Sequence, residues 1–218
     1  MKSRTSSTPV RARQPRITER RIRKQETRER ILQAAASIAR REGLQAASIP
    51  RIMRAAGLTV GGFYGHFASK TALDVEVIRT VVGAIPGRGL GGLQHLSGLS
   101  WIEKATTRYL TAAHRDNPDG CSYPSILSGI ATGPMEAKAA FADALELRVK
   151  AFEANMPALP GVTARERSLA LMALTIGGLL LARASAGAPV SGEVLAACQK
   201  WALPEFDARV RTSGAAAR

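Results

Sequence analysis

Side chains able to do covalent chemistry are few in this chain and do not converge. Its three histidines, His66, His95 and His114, and its two cysteines, Cys121 and Cys198, are scattered. No metal-ligand spacing, phosphate-cradling glycine loop or nucleophile–base set is present, so no catalysis, metal or cofactor is expected. The concentrated chemistry is hydrogen bonding and charge, over residues 48–70. Residues 48–67, SIPRIMRAAGLTVGGFYGHF, read as a helix, a tight turn and a second short helix, with Ser69-Lys70 following. Ser48 suits the N-cap, where a hydroxyl accepts from a free N–H of the first turn. Pro50 fits that turn, where a missing N–H matters little. Ile49, Ile52, Met53 and Ala56 share one face at helical spacing. Gly57 stops the helix. Leu58 re-enters the core, and Thr59 can cap the second helix, which carries Gly61, Gly62, Phe63, Tyr64 and His66. Two helices joined by a short glycine turn form the DNA-reading helix-turn-helix, whose second helix enters the major groove.

Flanking elements must hold this pair. A preceding helix is expected from about Glu26 to Arg41, with Ile31, Leu32, Ala35, Ile38 and Ala39 as its apolar stripe and Gly43 as its end. Ser69 caps a following helix through Leu73, Val77 and Val81. With these flanks, residues 27–73 resemble the DNA-binding domain of the TetR/AcrR family of bacterial transcriptional regulators. The run GLTVGGFYGHFASKTAL, with its aromatic-Tyr-x-His-Phe-x-Ser-Lys pattern, carries the resemblance most specifically.

The resemblance implies an all-α protein. An N-terminal three-helix DNA-binding domain (26–82) would precede a helical ligand-binding and dimerisation domain (83–211). It puts Thr59, Val60, Gly61 and Gly62 towards the bases. Thr59 can donate or accept and Val60 can touch a thymine methyl, whereas the glycines offer only backbone and close approach. So small a reading surface implies that DNA shape contributes to specificity. Carried across, the pattern puts Tyr64, His66 and Lys70 on phosphates. Ser48 joins them, with Arg51 and Arg54 on or near the same side. Taken alone, Tyr64 also suits core packing, and His66 suits a satisfied surface histidine.

Charge is distributed to match. The net +14 is uneven: residues 1–82 hold 17 Lys/Arg against 6 Asp/Glu, and residues 83–218 hold 14 against 11. A phosphate backbone is the fitting partner, with affinity that falls steeply with salt. The alternative is a solubilising surface. Residues 1–25 read as a disordered basic arm, which can lie on phosphates, reach into a minor groove or stay solvated. Residues 212–218 read as a frayed tail. The N-terminus is basic without an apolar stretch behind it, so no signal peptide is read. The longest apolar run, Leu169–Ala182, falls short of the ~20 residues of a membrane span and reads as a buried helix. Two cysteines make no disulfide framework. A cytoplasmic protein without membrane partners is expected.

Residues 83–99 are glycine-rich and read as a flexible connection. Ser100 and Glu103 suggest a capping box opening a helix to about His114. Asn117–Gly120 is a turn signal, and a short helix covers Cys121–Ile130. A longer helix follows Pro134, to about Asn155. Thr163 and Glu166 form a second capping box, for a helix to about Ala186, and a last helix runs from Ser191 through Trp201. Residues 109–126, YLTAAHRDNPDGCSYPSI, resemble a stretch of some branches of the family. By analogy with the family the body holds a pocket for a small-molecule effector, lined by Trp101, Tyr109, Cys121, Tyr123, Phe141 and Met172, with Met135 and Phe152 as further candidates. Each also suits plain core. Cys121 follows a turn, at an expected helix N-terminus with Arg115 close in sequence, and both features would lower its pKa. Some family members sense electrophiles at a similar cysteine; the alternative is a small buried hydrophobe. Ala170, Ala173, Gly177, Gly178 and Ala182, then Ala196 and Ala197, permit close helix approach. In the family two such helices per subunit form a four-helix dimer interface; otherwise they are the heart of the monomer. The implied function is a ligand-responsive homodimeric repressor on a palindromic double-stranded DNA operator. Alternatives are a cysteine-based electrophile sensor of the same family and a non-specific architectural DNA-binding protein.

Overall fold

The computed structural model describes residues 15–83, 91–157 and 161–203, and these form helices and connecting turns without strands. In chain order the helices are α1 (Pro15–Glu42), α2 (Ile49–Ala55), a 3-10 turn (Val60–Gly65), α3 (Lys70–Gly83), α4 (Gly98–Tyr109), α5 (Ala112–Asp116), α6 (Tyr123–Ala131), α7 (Met135–Glu153), α8 (Ala164–Ala184) and α9 (Pro189–Ala202). The expected tail and residues 1–14 of the expected arm lie outside the described residues.

Four expectations change. Helix α1 starts at Pro15, so residues 15–25 belong to a helix and not to a disordered arm. Proline suits a first turn, and the Arg, Gln and Glu that follow are strong helix formers. Gln25 donates to Glu29 one turn on, at 2.7 Å. Residues 19–26 are exposed, so no apolar stripe marked this stretch as helical. Second, the expected reader helix is a six-residue 3-10 turn, with i→i+3 bonds from Gly62 N–H to Thr59 (3.1 Å) and from His66 N–H to Phe63 (2.9 Å). Glycines at 61, 62 and 65 deprive it of α propensity. Third, Ser97 rather than Ser100 stands at the N-cap of α4, without a side-chain capping bond, and the Ser100 hydroxyl donates to the Ser97 carbonyl. Fourth, α4 stops at Tyr109, and α5 follows with Thr111 as its cap, accepting from the His114 N–H.

Several other local signals carry through, although Ser48 and Thr59 make no capping bond. Gly57 ends α2 at φ +67°, a conformation open to glycine. Ser69 accepts from the Ala72 N–H at 3.0 Å. Thr163 and Glu166 form a complete capping box. The side chain of Asn117 accepts from the Asp119 N–H.

One core joins head to body. Ile31, Ile52, Phe63, Leu73 and Ile78 pack in a cluster that continues into Tyr123 and Ile126 of α6 and Ala137, Ala140 and Ala144 of α7. A second cluster knits α4, α7 and α8 around Trp101, Ile102, Phe152 and Met172. Helix α3 therefore belongs to both parts: its start follows the reader turn and its length packs on α7.

The small-residue stripe divides in two. Gly178 and Ala182 face inward, where α8 meets α9. A Cβ on Gly178 would lie 2.6 Å from Cys198 Sγ, and Ala182 is fully buried. Leu169, Ala170, Ala173, Leu180 and Leu181 face outward and are exposed, and so are Ala196 and Ala197 on α9. Helix α8 is thus not simply the buried helix expected of its run. By length and composition it could cross a membrane, but its inner face is protein core and its outer face is open. Gly178→Ala is expected to destabilise the protein by about 1–2 kcal/mol, since overpacking outweighs the helix propensity gained. Chemical denaturation should show most of that loss recovered by adding Cys198→Ala, a coupling that unrelated sites would not show.

Candidate nucleic-acid interface and body cavity

The reader turn is anchored from beneath. Phe63 is fully buried and Phe67 nearly so, their rings stacked at 5.8 Å. The anchor leaves Thr59, Val60, Gly61, Gly62 and Tyr64 facing out, all exposed. Tyr64 is 69% exposed, with its ring edge-on to Phe63 at 5.2 Å, which removes core packing as its role. The Thr59 hydroxyl makes no capping bond, and neither does that of Ser48, which is also exposed.

The cations sort differently. Arg51 holds Glu42, at the end of α1, through two hydrogen bonds. That pairing lowers the Glu42 pKa and raises that of Arg51. Lys70 pairs with Asp74 one turn on, and burial raises the Asp74 pKa against that pull. Arg28 lies over the Phe67 ring and pairs with Glu76. Arg54 is exposed with no side-chain partner among the described residues. His66 is half-buried, with Nδ1 enclosed and unpaired. Exposed cations also line the first turns of α1, at Arg20, Arg21, Arg23 and Lys24.

The body holds a partly open cavity of about 50 Å³ between α4, α6, α7 and α8. Its apolar wall is Ala105, Phe152, Leu171, Met172 and Ile176; its polar lining is Thr106, Tyr109, Tyr123, Arg148 and Thr175. Tyr109, Tyr123, Phe152 and Met172 were legible as large side chains at body positions. Arg148, Thr106 and Thr175 were not, because nothing in their spacing distinguishes them from surface and core residues. Trp101 and Phe141 do not line the cavity. Trp101 packs edge-on to Phe152 and Phe141 edge-on to Tyr123, each one layer behind. Met135 is 71% exposed.

Cys121 lies outside the lining too, and its expected activation is reversed. Ser122 is the N-cap of α6, so Cys121 falls before the helix. Arg115 turns away, to Asp116 and the Ser191 hydroxyl. Burial raises the thiol pKa, against the hydrogen bond it shares with Tyr109, whose Oη lies 2.7 Å from Sγ. The segment is built for rigidity. Arg183 of α8 donates to the Cys121 carbonyl at 2.8 Å and to the carbonyls of Arg115 and His114. His114 Nε2 accepts from the Cys121 N–H at 3.0 Å, and its Nδ1 meets the Tyr109 carbonyl at 2.7 Å. Burial chiefly, and then Arg183, lower the His114 pKa, consistent with a neutral ring that donates on one side and accepts on the other.

Comparison with known proteins bears on both parts. Residues 31–77 match the family model of bacterial regulatory proteins, tetR family. No protein of curated function matches significantly. Among solved structures, a TetR-family transcriptional regulator from Agrobacterium tumefaciens is 20% identical, at TM-score 0.65 over 81% of this chain and 97% of that one. The reduced form of E. coli NemR is 18% identical, at TM-score 0.67 over 81% and 95%. A TetR transcriptional regulator from Chloroflexus aurantiacus is 24% identical, at TM-score 0.61 over 83% and 96%. These likenesses establish the fold across head and body.

Proposed function

We propose that this chain, a TetR-family transcriptional regulator by its head sequence and its whole fold, acts as a cytoplasmic homodimeric repressor released from its operator by a small molecule, without catalysis. The exposed reader turn on its buried Phe63–Phe67 anchor carries this reading. Thr59 and Val60 meet base edges, and Gly61 and Gly62 let the backbone approach. Tyr64, the Ser48 hydroxyl, Arg54 and Lys70 meet phosphates, as does Arg51 once it parts from Glu42. His66 supports the turn from behind. The outer face of α8 and α9 meets its two-fold copy, which sets two heads on a two-fold operator.

DNA selection from a random duplex pool at near-physiological salt tests this. A two-fold symmetric enriched site is expected. The reader turn is poor in hydrogen-bonding side chains, which favours the architectural reading as the runner-up. Tight binding without any enriched site would establish that one instead. The cysteine-sensor reading is disfavoured by the raised thiol pKa of Cys121.

A further inference from the structure

Three polar atoms of the body cavity are buried without a hydrogen-bond partner: Thr106 Oγ1, Tyr123 Oη and Arg148 Nε. All three residues line the same space. Thr106 is 2% exposed and Tyr123 4%. Buried polar groups are nearly always paired, and an unpaired one has lost its water without a replacement. Three at one cavity amount to a prepared donor site, awaiting an acceptor. The other polar side chains there are already engaged: Thr175 bonds the Leu171 and Met172 carbonyls and Tyr109 meets Cys121. The set comprises one guanidinium and two hydroxyls, with no acid in the lining. A group that accepts from all three, and balances the cation, is an anion with at least two oxygens. The remaining wall is apolar.

Arg148 also reaches out of the cavity. Its Nη2 donates to the Val82 carbonyl, in the last turn of α3, over a long 3.4 Å. Its guanidinium lies 5.4 Å from the centre of the Tyr123 ring. A bond that long is weak, and a charged acceptor at the same guanidinium would outcompete it. Helix α3 is the element shared by the reader head and the body.

We propose that the cavity takes a small carboxylate with a compact apolar body, held by Arg148, Thr106 and Tyr123, and that binding draws Arg148 from the end of α3. The proposal rests on the effector-responsive reading above and gives that effector its chemical class. Arg148 is thereby a ligand-binding residue and the coupling residue as well. At about 50 Å³ the cavity admits a small acid as it stands, and a longer one only as α4 and α7 part.

Calorimetric titration of the full chain with propionate and benzoate, against propionamide and benzamide, tests the ligand class without DNA, the smaller pair matching the cavity as it stands. The acids are expected to bind, and the amides to bind about tenfold more weakly or not at all. Arg148→Met should remove the preference for the acids. Tyr123→Phe, a milder variant whose fold circular dichroism can verify, should weaken acid binding several-fold. Equal binding of acids and amides, retention of the preference in Arg148→Met, or no binding of any probe to the folded wild type would overturn the proposal. The operator site from the selection then reads the coupling. Benzoate should weaken wild-type DNA binding and leave that of Arg148→Met unchanged, as reciprocal linkage requires. Benzoate binding without any change in DNA affinity would overturn the coupling role of Arg148. Because the titration needs no DNA, its failure is distinct from a failure to find an operator.

Discussion

Replacing Leu180 and Leu181 together by glutamate is expected to yield a folded monomer that binds operator DNA at least a hundredfold more weakly. The two side chains are 44% and 60% exposed on α8, beside Ala173 and across from nothing within their own chain's core. Burying one leucine stabilises an association by about 1.5–3 kcal/mol. Each is already about half covered within its own chain, so the four leucines of a two-fold interface contribute about 3–6 kcal/mol before the penalty of burying carboxylates. That suffices to dissociate most dimers at micromolar concentration. One head then meets one half-site, and the contribution of the second head is lost. Sedimentation equilibrium reads the oligomeric state, and circular dichroism at the same concentration reads the fold. An undiminished dimer would show that another face makes the contact. The substitutions lie outside all three buried clusters, including the one that Leu110, Ala182 and Leu195 form where α8 meets α9, so general unfolding is not their expected effect.

Gly43→Ala is expected to lower stability by about 3 kcal/mol and the melting temperature by roughly 6–12 °C. Gly43 ends α1 at φ +91°, where a side chain is strained in any surroundings. An added Cβ would also lie 2.8 Å from the backbone carbonyl oxygen of Ser125. Ser125 lies on α6, so the close approach seats the head on the body. A carbonyl within a helix has little room to yield, and the end of α1 must lift instead. Gly61→Ala provides the contrast. It meets nothing within 4 Å and has no positive φ, so thermal stability should hold while DNA affinity falls, because the added methyl sits where bases would approach. Loss of stability in Gly61→Ala, or its absence in Gly43→Ala, would contradict this division between a packing glycine and a reading glycine.

Much of the head is legible in the chain because its determinants are local. Gly57 stops a helix by a conformation only glycine adopts easily, and Thr163–Glu166 and Asn117–Gly120 close their turns with side chains a few residues away. Phe63 and Phe67 lie four apart and turn inward together, which puts their neighbours outward. The cavity is a different matter. Tyr109, Tyr123 and Met172 could be picked by size, but Trp101 and Phe141, of the same character, end one layer behind. Arg148 reads as one more surface cation, since its helix carries charges along its whole length. Its meaning comes from Thr106, Tyr123 and the Val82 carbonyl, brought from three other elements.

Cys121 marks the boundary most clearly. A turn before it and an arginine nearby in sequence argue for a low pKa. Ser122 takes the cap, Arg115 faces away and burial dominates, so the pKa rises instead. The stripe of small residues divides on the same ground, as Gly178 and Ala182 face α9 and Gly177 meets open space. What the amino-acid sequence determined by itself was the helical class, the punctuation of the helices, the helix-turn-helix pattern of residues 48–67 and the concentration of positive charge around it. These depend on groups within about one helical turn, or on totals. Tertiary structure alone decided which face of each helix is inside, which polar groups are stranded in the cavity and which way each pKa moves. Those depend on desolvation and on distances between elements far apart in the chain, which no local pattern encodes.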